Sequence, residues 1–502
     1  MPVQAARGAA TQTQKSIGDR SMSNASRFTQ FSALAVGIAG ALAFGQVHAS
    51  GFQLRENSVK NLGRGQAGTA VANGDASVVS NNPGAMGFID QNTVQADVTV
   101  IDLTADFNGN AYTHLAAGAP CPSAGCIPVS GGDGGDPGDA TPVPAIAAVF
   151  PLHGAFEKLT LGASIGAPFG LKTEYDSDWV GRYNAVTSDV KTVDLTLSAA
   201  LKLDPRFSVG LGFIYEKADV TLSNMVDYGL IMASAGIPGS IPGTADGLAK
   251  VSGDSHGFGW VAGFEWRPTD RFAVGYSHRS EIDQDIEGDA TFNAPASFAG
   301  AQPLFQQMAA QCLMAPPTNP CYAQLPTLLA LGNGFVPTNA TAALTTPSID
   351  TLSLRYDFTD SFRLMGDVQR TDWHSLRSVD IHFANPYQAP SSEAFEWNDS
   401  TLVSLGAEWD INPAWTLRGG IAKDQTPTHD DTRTPRLPDN DRTLFSIGAT
   451  WHATDAFSVD AAYQRINIKT PNIDAFSSLG TELIGKFSGH ADLFGVSAQY
   501  RF

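Results

Sequence analysis

The chain has 502 residues and a formal net charge of −19 at pH 7, because 50 acidic residues outnumber 31 Lys and Arg. This balance argues against general nucleic-acid binding, which needs a basic surface. No window after the first fifty residues has the roughly twenty apolar residues that a membrane helix requires. The length would allow two or three soluble domains, but no linker or composition shift divides the chain.

Residues 1–49 have the organisation of an export signal. The apolar run ALAVGIAGALAF at 33–44 follows Arg27 and precedes the sequence VHA, which ends at Ala49. A basic residue, a short apolar run and a small-x-small cleavage site are typical of a secretory signal peptide. We therefore expect residues 1–49 to be a signal-peptide region cleaved after Ala49, with the start at Met1 or Met22. An uncleaved anchor helix is the alternative.

The stretch GFQLRENSVKNLGRGQAGTAVANGDASVVSNNPGAMGF, residues 51–88, is rich in Gly, Ser, Ala and Asn and has little apolar periodicity. It would make a poor strand and a poor helix. About forty irregular residues are uncommon in a compact domain unless they have a function or something surrounds them. We therefore predict that residues 50–90 form a plug, or hatch, inside a barrel made by residues 91–502.

From residue 94 onward, apolar residues alternate with polar or small ones. In the segment 206–221, for example, Phe207, Val209 and Leu211 would share one face, and Ser208 and Gly210 the other. Because successive strand residues point to opposite faces, each such segment predicts a strand with one apolar face. We count about fourteen strands, and single-chain outer-membrane barrels have even numbers.

Three features favour a membrane barrel over a soluble sandwich. Tight turns alternate with long loops at 109–142, 222–252 and 286–346, and the last residue, Phe502, is aromatic. Aromatic residues at strand ends resemble interfacial girdles; the candidates are Trp260, Trp266, Trp409, Trp415 and Trp451. Since only a sheet without edges pairs every backbone group in lipid, we predict an all-β fold. It is a transmembrane antiparallel β-barrel of about 14 strands with an N-terminal plug in the lumen.

The four cysteines form two local pairs, Cys121-x4-Cys126 and Cys312-x8-Cys321. In an exported compartment this spacing predicts two disulfides. Zinc binding is the alternative. His114 is the one histidine near a cysteine pair, and no second histidine completes a zinc site. We therefore predict no metal site. Residues 299–313 have apolar residues near helical spacing. Short helices there would either gather a hydrophobic ligand above the barrel mouth or merely pack the loop together.

Two glycine motifs match enzyme fingerprints by letter. Gly63-x-Gly65-x-x-Gly68 matches a dinucleotide-binding loop, but no strand precedes it. The stretch GASIG at 162–166 matches the elbow of serine hydrolases, which requires a strand-to-helix turn, whereas its surroundings predict a continuous strand. We predict no enzymatic activity and no cofactor. A lipid hydrolase that uses Ser164 is kept as a second alternative, and an adhesin would leave the plug unexplained.

Several stretches together are similar to one known family. They are SGFQL, LGRGQAGTAVANGDASVVSNNPGAM, PFGLKTEYDSDWVGRYNAVTSDVKTV, HGFGWVAGFEWRP, YSHRSEI, DWHSLRSV, RLPDNDRTLFSIGATW and the terminal aromatic strand. The chain thereby resembles the FadL family of outer-membrane long-chain fatty-acid transporters, which includes the TodX-type hydrocarbon channels. The resemblance covers essentially the whole mature chain. It implies passive transport, with ligand captured by extracellular loops, bound in the barrel, released by hatch movement and discharged sideways into the membrane.

The resemblance also implies roles for single residues. The hatch motif falls on Asn82-Pro83, with Gly84 where Ala is more usual, and these residues would act in gating. The N-terminal aromatic residue of the ligand pocket falls on Phe52. The third strand, which opens laterally at an inward kink, falls near residues 159–167. Its glycines, Gly162 and Gly166, would permit the kink.

A basic residue that meets the ligand carboxylate in the fatty-acid members aligns with Lys217. Strict alternation places Lys217 on the lipid side and Glu216 in the lumen. A ligand-binding role for Lys217 therefore requires a bulge; otherwise the side chain snorkels at the interface. A second basic residue of the family is replaced near Asp380. The ligand is therefore either a fatty acid or an uncharged aromatic or aliphatic hydrocarbon.

The expected setting is the bacterial outer membrane, which the chain would cross many times as a monomer. The implied partners are a hydrophobic small molecule and the lipid and lipopolysaccharide of that membrane. We expect no nucleic-acid partner.

Overall fold

A computed structural model describes residues 51–114, 121 and 125–502. The predicted signal peptide, residues 1–49, lies outside the described residues. None of the described helices combines the length and the apolar character needed to cross a membrane.

The described part of the chain is dominated by 21 strands. They are β1 (Thr93–His114), β2 (Cys126–Pro128), β3 (Thr141–Pro151), β4 (Leu159–Gly166), β5 (Gly170–Glu174), β6 (Thr187–Asp204), β7 (Phe207–Asp227), β8 (Asp246–Thr269), β9 (Phe272–Arg279), β10 (Ile282–Phe292), β11 (Thr338–Thr346), β12 (Ile349–Asp357), β13 (Phe362–Thr371), β14 (Ser378–Phe383), β15 (Ser391–Ala394), β16 (Ser400–Asn412), β17 (Trp415–Asp424), β18 (Arg442–His452), β19 (Phe457–Ile468), β20 (Asn472–Phe476) and β21 (Thr481–Arg501).

The strands form a closed antiparallel barrel of 14 strands, as the alternating sequence predicts. The first and last strands, β1 and β21, pair along almost their whole length, from Thr93 opposite Arg501 to Thr113 opposite Thr481. Six barrel strands are interrupted and so appear in two pieces: β4–β5, β9–β10, β11–β12, β13–β14, β15–β16 and β19–β20. The short β2 pairs with the far end of β1. Closure leaves no free edge that lipid would have to cover.

The apolar face of the strands points outward. Leu211, Phe258, Ile447 and Val496 are each at least 60% exposed although they lie within strands. Polar residues on the opposite face, such as Ser208, are buried. A soluble sandwich would bury the apolar face instead, so the exposure pattern confirms the barrel prediction.

Four of the five tryptophans predicted to form a girdle lie near short turns. Trp415 pairs with Trp451, and Trp266 and Trp409 lie opposite Phe207 and Phe362 at the same end of the barrel. Trp260 is different, because it lies in the middle of β8 opposite Phe213. The prediction of a strand-end position for Trp260 is therefore wrong. Below, this end is called the short-turn end, and the opposite end is called the long-loop end.

Five α-helices lie in the described residues. They are α1 (Val59–Gly63), α2 (Val78–Asn81), α3 (Tyr228–Ser234), α4 (Ala296–Met314) and α5 (Leu325–Asn333). Four 3-10 helices are present as well: Pro83–Phe88, Gly154–Phe156, Pro320–Gln324 and Trp373–Ser375.

Helices α3, α4 and α5 pack together in the long loops. Tyr228, Phe298, Phe305 and Leu328 form the centre of one buried apolar cluster. The helix predicted near 299–313 is present as α4. Its outer side exposes Leu304, Leu313 and Met314.

The two cysteine pairs differ. Cys121 and Cys126 form a disulfide, as predicted. Cys312 and Cys321 are free thiols, so the second predicted disulfide is wrong. Cys312 is buried on the inner side of α4, and its hydrogen bond with Cys321 raises its pKa to about 11. Because the thiolate is the reactive form, this shift disfavours reaction at Cys312.

Residues 51–89, called the interior segment below, are surrounded by the barrel. Glycines of the segment approach glycines of the wall at well-separated strands: Gly63 lies against Gly448 of β18, and Gly84 against Gly263 of β8. An added Cβ at Gly84 would lie 2.6 Å from the carbonyl oxygen of Gly263. The small residues that make this stretch a poor strand therefore allow its backbone to lie directly against the wall.

Candidate ligand-binding site

Carboxylates on the inner wall hold the irregular backbone of the interior segment. Asp367 accepts the backbone N–H groups of Gly68 and Thr69 at 2.6 and 2.9 Å. Asp97 accepts the N–H of Val59 at 2.9 Å in the same way. A buried backbone without regular secondary structure needs such partners for its polar groups. These wall carboxylates therefore bind the interior segment directly.

One buried carboxylate on the wall collects three arginines. Glu408 contacts Arg64 of the interior segment at 2.8 Å and the wall residues Arg363 and Arg418 at 2.6 Å each. All four side chains are at least four-fifths buried. Removing one partner of such a cluster leaves an uncompensated buried charge, so the cluster fixes the position of Arg64 relative to β16.

Asn82, Pro83 and Gly84 lie at the contact between the segment and the wall. The fully buried Asn82 side chain donates from Nδ2 to the carbonyl oxygens of Ala70 and Phe264, at 2.6 and 2.9 Å. Its Oδ1 accepts from the N–H of Gly84 at 3.0 Å, which caps the 3-10 helix Pro83–Phe88. One amide therefore links two parts of the interior segment to β8.

The first residues of the segment pair with a break in the third barrel strand. β4 ends at Gly166 and β5 begins at Gly170. In the break, the carbonyl oxygen of Pro168 accepts from the N–H of Leu54 at 2.8 Å. The N–H of Gly170 donates to the carbonyl oxygen of Phe52 at 2.9 Å. The chain bends inward here and exchanges barrel hydrogen bonds for bonds to the segment.

The break opens the sheet on one side. β4 and β5 both pair with β6. On the other side, β3 pairs with β4, as far as Ile146 opposite Ile165, and does not continue along β5. No ladder joins β3 to β5 among the described residues. Gly166 is the last residue before the break, whereas Gly162 lies within the regular ladder opposite Val149. An added Cβ at Gly162 would lie 2.5 Å from Met86 Sδ, so this glycine admits the interior segment rather than a kink.

An apolar cavity of about 380 Å³ lies at the long-loop end, next to Phe52. Its volume falls within the roughly 300–1,000 Å³ of typical small-molecule sites. Aliphatic and aromatic side chains from several strands line it, among them Phe52, Val190, Val251, Ile286, Phe383 and Trp397. The cavity can therefore hold a hydrophobic molecule within the barrel wall.

An aromatic cluster forms one side of this cavity. The ring of Phe52 packs against Phe169, Trp373 and Trp397, with centroid distances of 5.9, 4.8 and 5.8 Å. Phe169 lies in the strand break, and Trp373 lies in the 3-10 helix that separates β13 from β14. The start of the interior segment thus contacts the cavity and the strand break at the same time.

Lys217 does not reach the cavity. It lies on the outer face of β7, where its Nζ is 3.1 Å from Asp219. Glu216 points inward and contacts Arg279 at 2.8 Å. β7 pairs with both neighbours without a bulge at this position, so strict alternation holds. The prediction that Lys217 meets a ligand carboxylate is therefore wrong.

Two charged residues, Arg436 and Glu393, line the cavity instead. Arg436 lies in the loop between β17 and β18, and its side chain bonds to Ser188 of β6 and to Ser223 of β7. Neither residue can be assigned a role from the sequence alone. Arg436 lies in an irregular loop, which has no periodicity from which the direction of a side chain can be read. Glu393 lies in β15, whose four residues are too few to show an alternation. Arg436 is the first residue of RLPDNDRTLFSIGATW, a stretch that carries the family resemblance but no chemical signal of its own.

A closed barrel with an apolar outer face, an apolar cavity inside it and an interrupted strand beside that cavity defines an outer-membrane transport protein. The chain belongs to the outer membrane protein transport protein family (OMPP1/FadL/TodX), whose family model matches residues 40–502. Its localisation is the outer membrane.

Relatives of similar length support this assignment. The chain is 28% identical to the 47 kDa outer membrane protein of Pasteurella multocida (strain Pm70), over 96% of this chain and 100% of that protein. It is 27% identical to the long-chain fatty acid transport protein of Escherichia coli O6:H1, over 95% of this chain and 100% of that protein.

Solved structures show the same fold. A Pseudomonas aeruginosa FadL homologue superposes with a TM-score of 0.77 and 26% identity, covering 90% of this chain and 100% of the other. The Pseudomonas putida toluene transporter TodX has a TM-score of 0.61 and 15% identity, with 90% and 100% coverage. The second likeness shows the fold alone.

Proposed function

We propose that this protein is a passive channel that takes up long-chain fatty acids, or similar hydrophobic compounds, across the outer membrane. The observation that carries the proposal is the apolar cavity, which lies inside the barrel and is floored by Phe52. A cavity of this composition binds a ligand by removing its apolar surface from water. The relatives named for fatty-acid transport support the same substrate class.

The proposed route begins in the long loops. Val226, Ala249 and Phe335 belong both to the apolar cluster of helices α3–α5 and to the cavity lining. Apolar surface is therefore continuous from the loops into the cavity. A ligand captured by the helices would move down this surface and stop against Phe52.

Release would need the interior segment to move. Phe52 and Leu54 bond to the strand break, and the break lies beside the unpaired stretch between β3 and β5. Withdrawal of the segment's first residues would free this opening, through which the ligand would leave sideways into the membrane. In this proposal residues 50–90 act as the hatch, Asn82, Pro83 and Gly84 hold it closed, and residues 91–502 form the channel. Gly166 would lie at the lateral opening.

A single chain suffices for this route, because β1 closes the barrel on β21. We therefore propose a monomer, with lipid and lipopolysaccharide against the outward apolar face. No cofactor is part of the proposal.

Two alternatives to a fatty-acid channel can each be weighed against a specific observation. An uncharged hydrocarbon would fit the same apolar cavity, and the likeness to TodX in fold is compatible with it. A lipid hydrolase would rest on Ser164, which lies within β4 between Ala147 and Thr196 of the neighbouring strands. This is a regular ladder rather than a strand-to-helix elbow, so it offers no exposed nucleophile. We therefore do not propose enzymatic activity.

Uptake measurements test the proposal. Cells that lack the gene and cells that express it would be given labelled palmitate or labelled toluene, at concentrations where diffusion through the bare membrane is slow. We expect faster uptake of palmitate, or of both compounds, only in the expressing cells. Equal uptake of both compounds in the two strains would refute the channel.

A further inference from the structure

We propose that Arg436 binds the carboxylate of an amphipathic ligand whose hydrocarbon tail lies in the apolar cavity. This inference rests on the channel function proposed above. It assigns the headgroup chemistry of the ligand to one residue.

Arg436 is one of two charged residues among the described residues that line the cavity, the other being Glu393. The side chain is buried, with 8% of its surface exposed. A buried guanidinium stays charged and is retained in an apolar wall only where something pairs with it. The hydrogen bonds of Arg436 therefore show which of its N–H groups remain available to a ligand.

One edge of the guanidinium is occupied and the other is not. Nη1 donates to Ser188 Oγ and to the carbonyl oxygens of Thr187 and Ser223, at 3.2–3.3 Å. Nε is buried and has no hydrogen-bond partner. Nη2 likewise makes no hydrogen bond to a described residue. Nε and Nη2 form the edge with two parallel N–H groups that a carboxylate binds with both oxygens.

Glu393 only partly compensates this free edge. Its Oε2 lies 3.7 Å from Arg436 Nε, too far for a hydrogen bond. The Glu393 side chain remains 30% exposed. It can therefore retreat toward solvent and leave the edge to a ligand carboxylate, which would form the two hydrogen bonds that Glu393 does not form.

The position of Arg436 fits an amphipathic molecule. A second, polar cavity of about 160 Å³ shares Arg436, Glu393, Ser391 and Asn224 with the apolar one. Arg436 thus marks the boundary between the two. A ligand whose carboxylate lies at this boundary places its tail among apolar side chains and keeps its headgroup among polar ones. An uncharged hydrocarbon gains nothing from this arrangement.

The loop that carries Arg436 is held in place independently of any ligand. The carbonyl oxygen of Arg436 accepts from Thr173 Oγ1 at 3.1 Å, and that of Pro435 accepts from the hydroxyl of Tyr175 at 2.7 Å. Both donors are buried. Because the guanidinium is already oriented, little conformational entropy is lost when a carboxylate binds.

Binding of dibromostearate and of its methyl ester to the purified full-length protein tests the inference. Bromine quenches the fluorescence of a nearby indole, and Trp397 lines the cavity. We expect the wild type to bind the acid at least about tenfold more tightly than the ester, the size of a charge-assisted hydrogen bond. Arg436→Met should abolish this ratio, because binding of the acid weakens to the level of the ester. An unchanged ratio in Arg436→Met would overturn the inference.

Glu393→Gln provides the matched control at the same boundary, and it keeps the test decisive if Arg436→Met does not fold. Loss of the competing carboxylate should strengthen binding of the acid and raise the acid-to-ester affinity ratio above that of the wild type. Acid affinity that stays unchanged or falls would contradict the inference. If the wild type binds both probes equally, this inference fails and the channel stands. If the wild type binds neither probe, the proposed function fails.

Discussion

Asn82 shows how much of the contact between the interior segment and the barrel wall depends on one side chain. Its amide joins Ala70, Gly84 and β8 through three hydrogen bonds in a fully buried position. Replacing Asn82-Pro83 by Ala-Ala leaves those carbonyl and N–H groups unsatisfied, at about 1–3 kcal/mol for a buried polar group. If the interior segment acts as the proposed hatch, we expect slower uptake of palmitate, because the segment no longer holds its position, while the barrel still folds.

Heat-modifiable migration on a gel reports whether the barrel itself is intact in the Ala-Ala variant. Normal migration with reduced uptake is the expected combination. Normal migration with unchanged uptake would refute the gating role of Asn82 and Pro83.

Gly84 tests the close approach of the interior segment to the wall. In Gly84→Ala the new methyl group would lie 2.6 Å from both the carbonyl oxygen of Gly263 and the Cα of Phe264. Overpacking of this kind costs about 1–3 kcal/mol. The matched control is Gly300→Ala in helix α4, where nothing lies within 4 Å of an added Cβ. Replacing a glycine inside a helix by alanine stabilises the helix by up to about 1 kcal/mol.

We expect thermal unfolding in detergent to show a lower midpoint for Gly84→Ala and an equal or higher midpoint for Gly300→Ala. The same midpoint for both variants would mean that the segment does not lie against β8.

Lys217 and Arg436 show where residue-level prediction works and where it ends. Strict alternation along β7 already placed Lys217 outside, and the structure agrees with that count rather than with the role carried over from the family. Arg436 could not be found in this way. It lies in an irregular loop, and its partners Ser188 and Ser223 are more than two hundred residues away in the sequence.

At the scale of elements, the alternation of apolar and polar residues predicts the strands but does not predict where they are interrupted. The alternation of Phe207, Val209 and Leu211 is local information, and β7 follows it. The break between β4 and β5 is not local, because its backbone groups are satisfied by Phe52 and Leu54 from the interior segment. Gly162 was therefore a misleading signal for the kink. The glycine serves a close contact with Met86 instead.

The pairing of the interior segment with this break can be locked to test whether it must open. Gln53 lies opposite Phe169 in an isolated antiparallel bridge. The flanking hydrogen bonds of Leu54 and Gly170 make this a non-hydrogen-bonded pair, in which Cα atoms are about 4.5 Å apart. That separation fits a disulfide. We expect oxidised Gln53→Cys/Phe169→Cys to bind ligand but not to release it.

The oxidised and reduced forms of this double variant are compared in a background with Cys312→Ser and Cys321→Ser. Reduction should restore uptake, and the background protein treated with the same reductant controls for loss of the Cys121–Cys126 disulfide. Equal uptake before and after reduction would show that the segment need not leave the strand break.

For the whole molecule, the central prediction is that the apolar face of the strands points toward lipid. The exposed fraction of a side chain does not show whether that side chain faces lipid or water. Ile447 in β18 is 64% exposed and Ile241, in the loop between α3 and β8, is 59% exposed. In a water-soluble protein both would face water. In a barrel that spans a bilayer, Ile447 faces acyl chains and Ile241 faces water. The two positions are therefore matched in residue type and exposure but differ in solvent.

Arginine at these two positions separates the two cases. A lipid-facing arginine near the middle of the bilayer destabilises a membrane barrel by about 2–4 kcal/mol, whereas surface substitutions in water usually change stability by about 0.5 kcal/mol or less. Reversible unfolding in urea, with the protein in lipid vesicles, would measure both. We expect Ile447→Arg to be less stable than the wild type by about 2 kcal/mol or more and Ile241→Arg to be nearly unchanged. Equal stability of the two variants would mean that β18 does not face lipid, and the proposed lateral exit would have no membrane to open into.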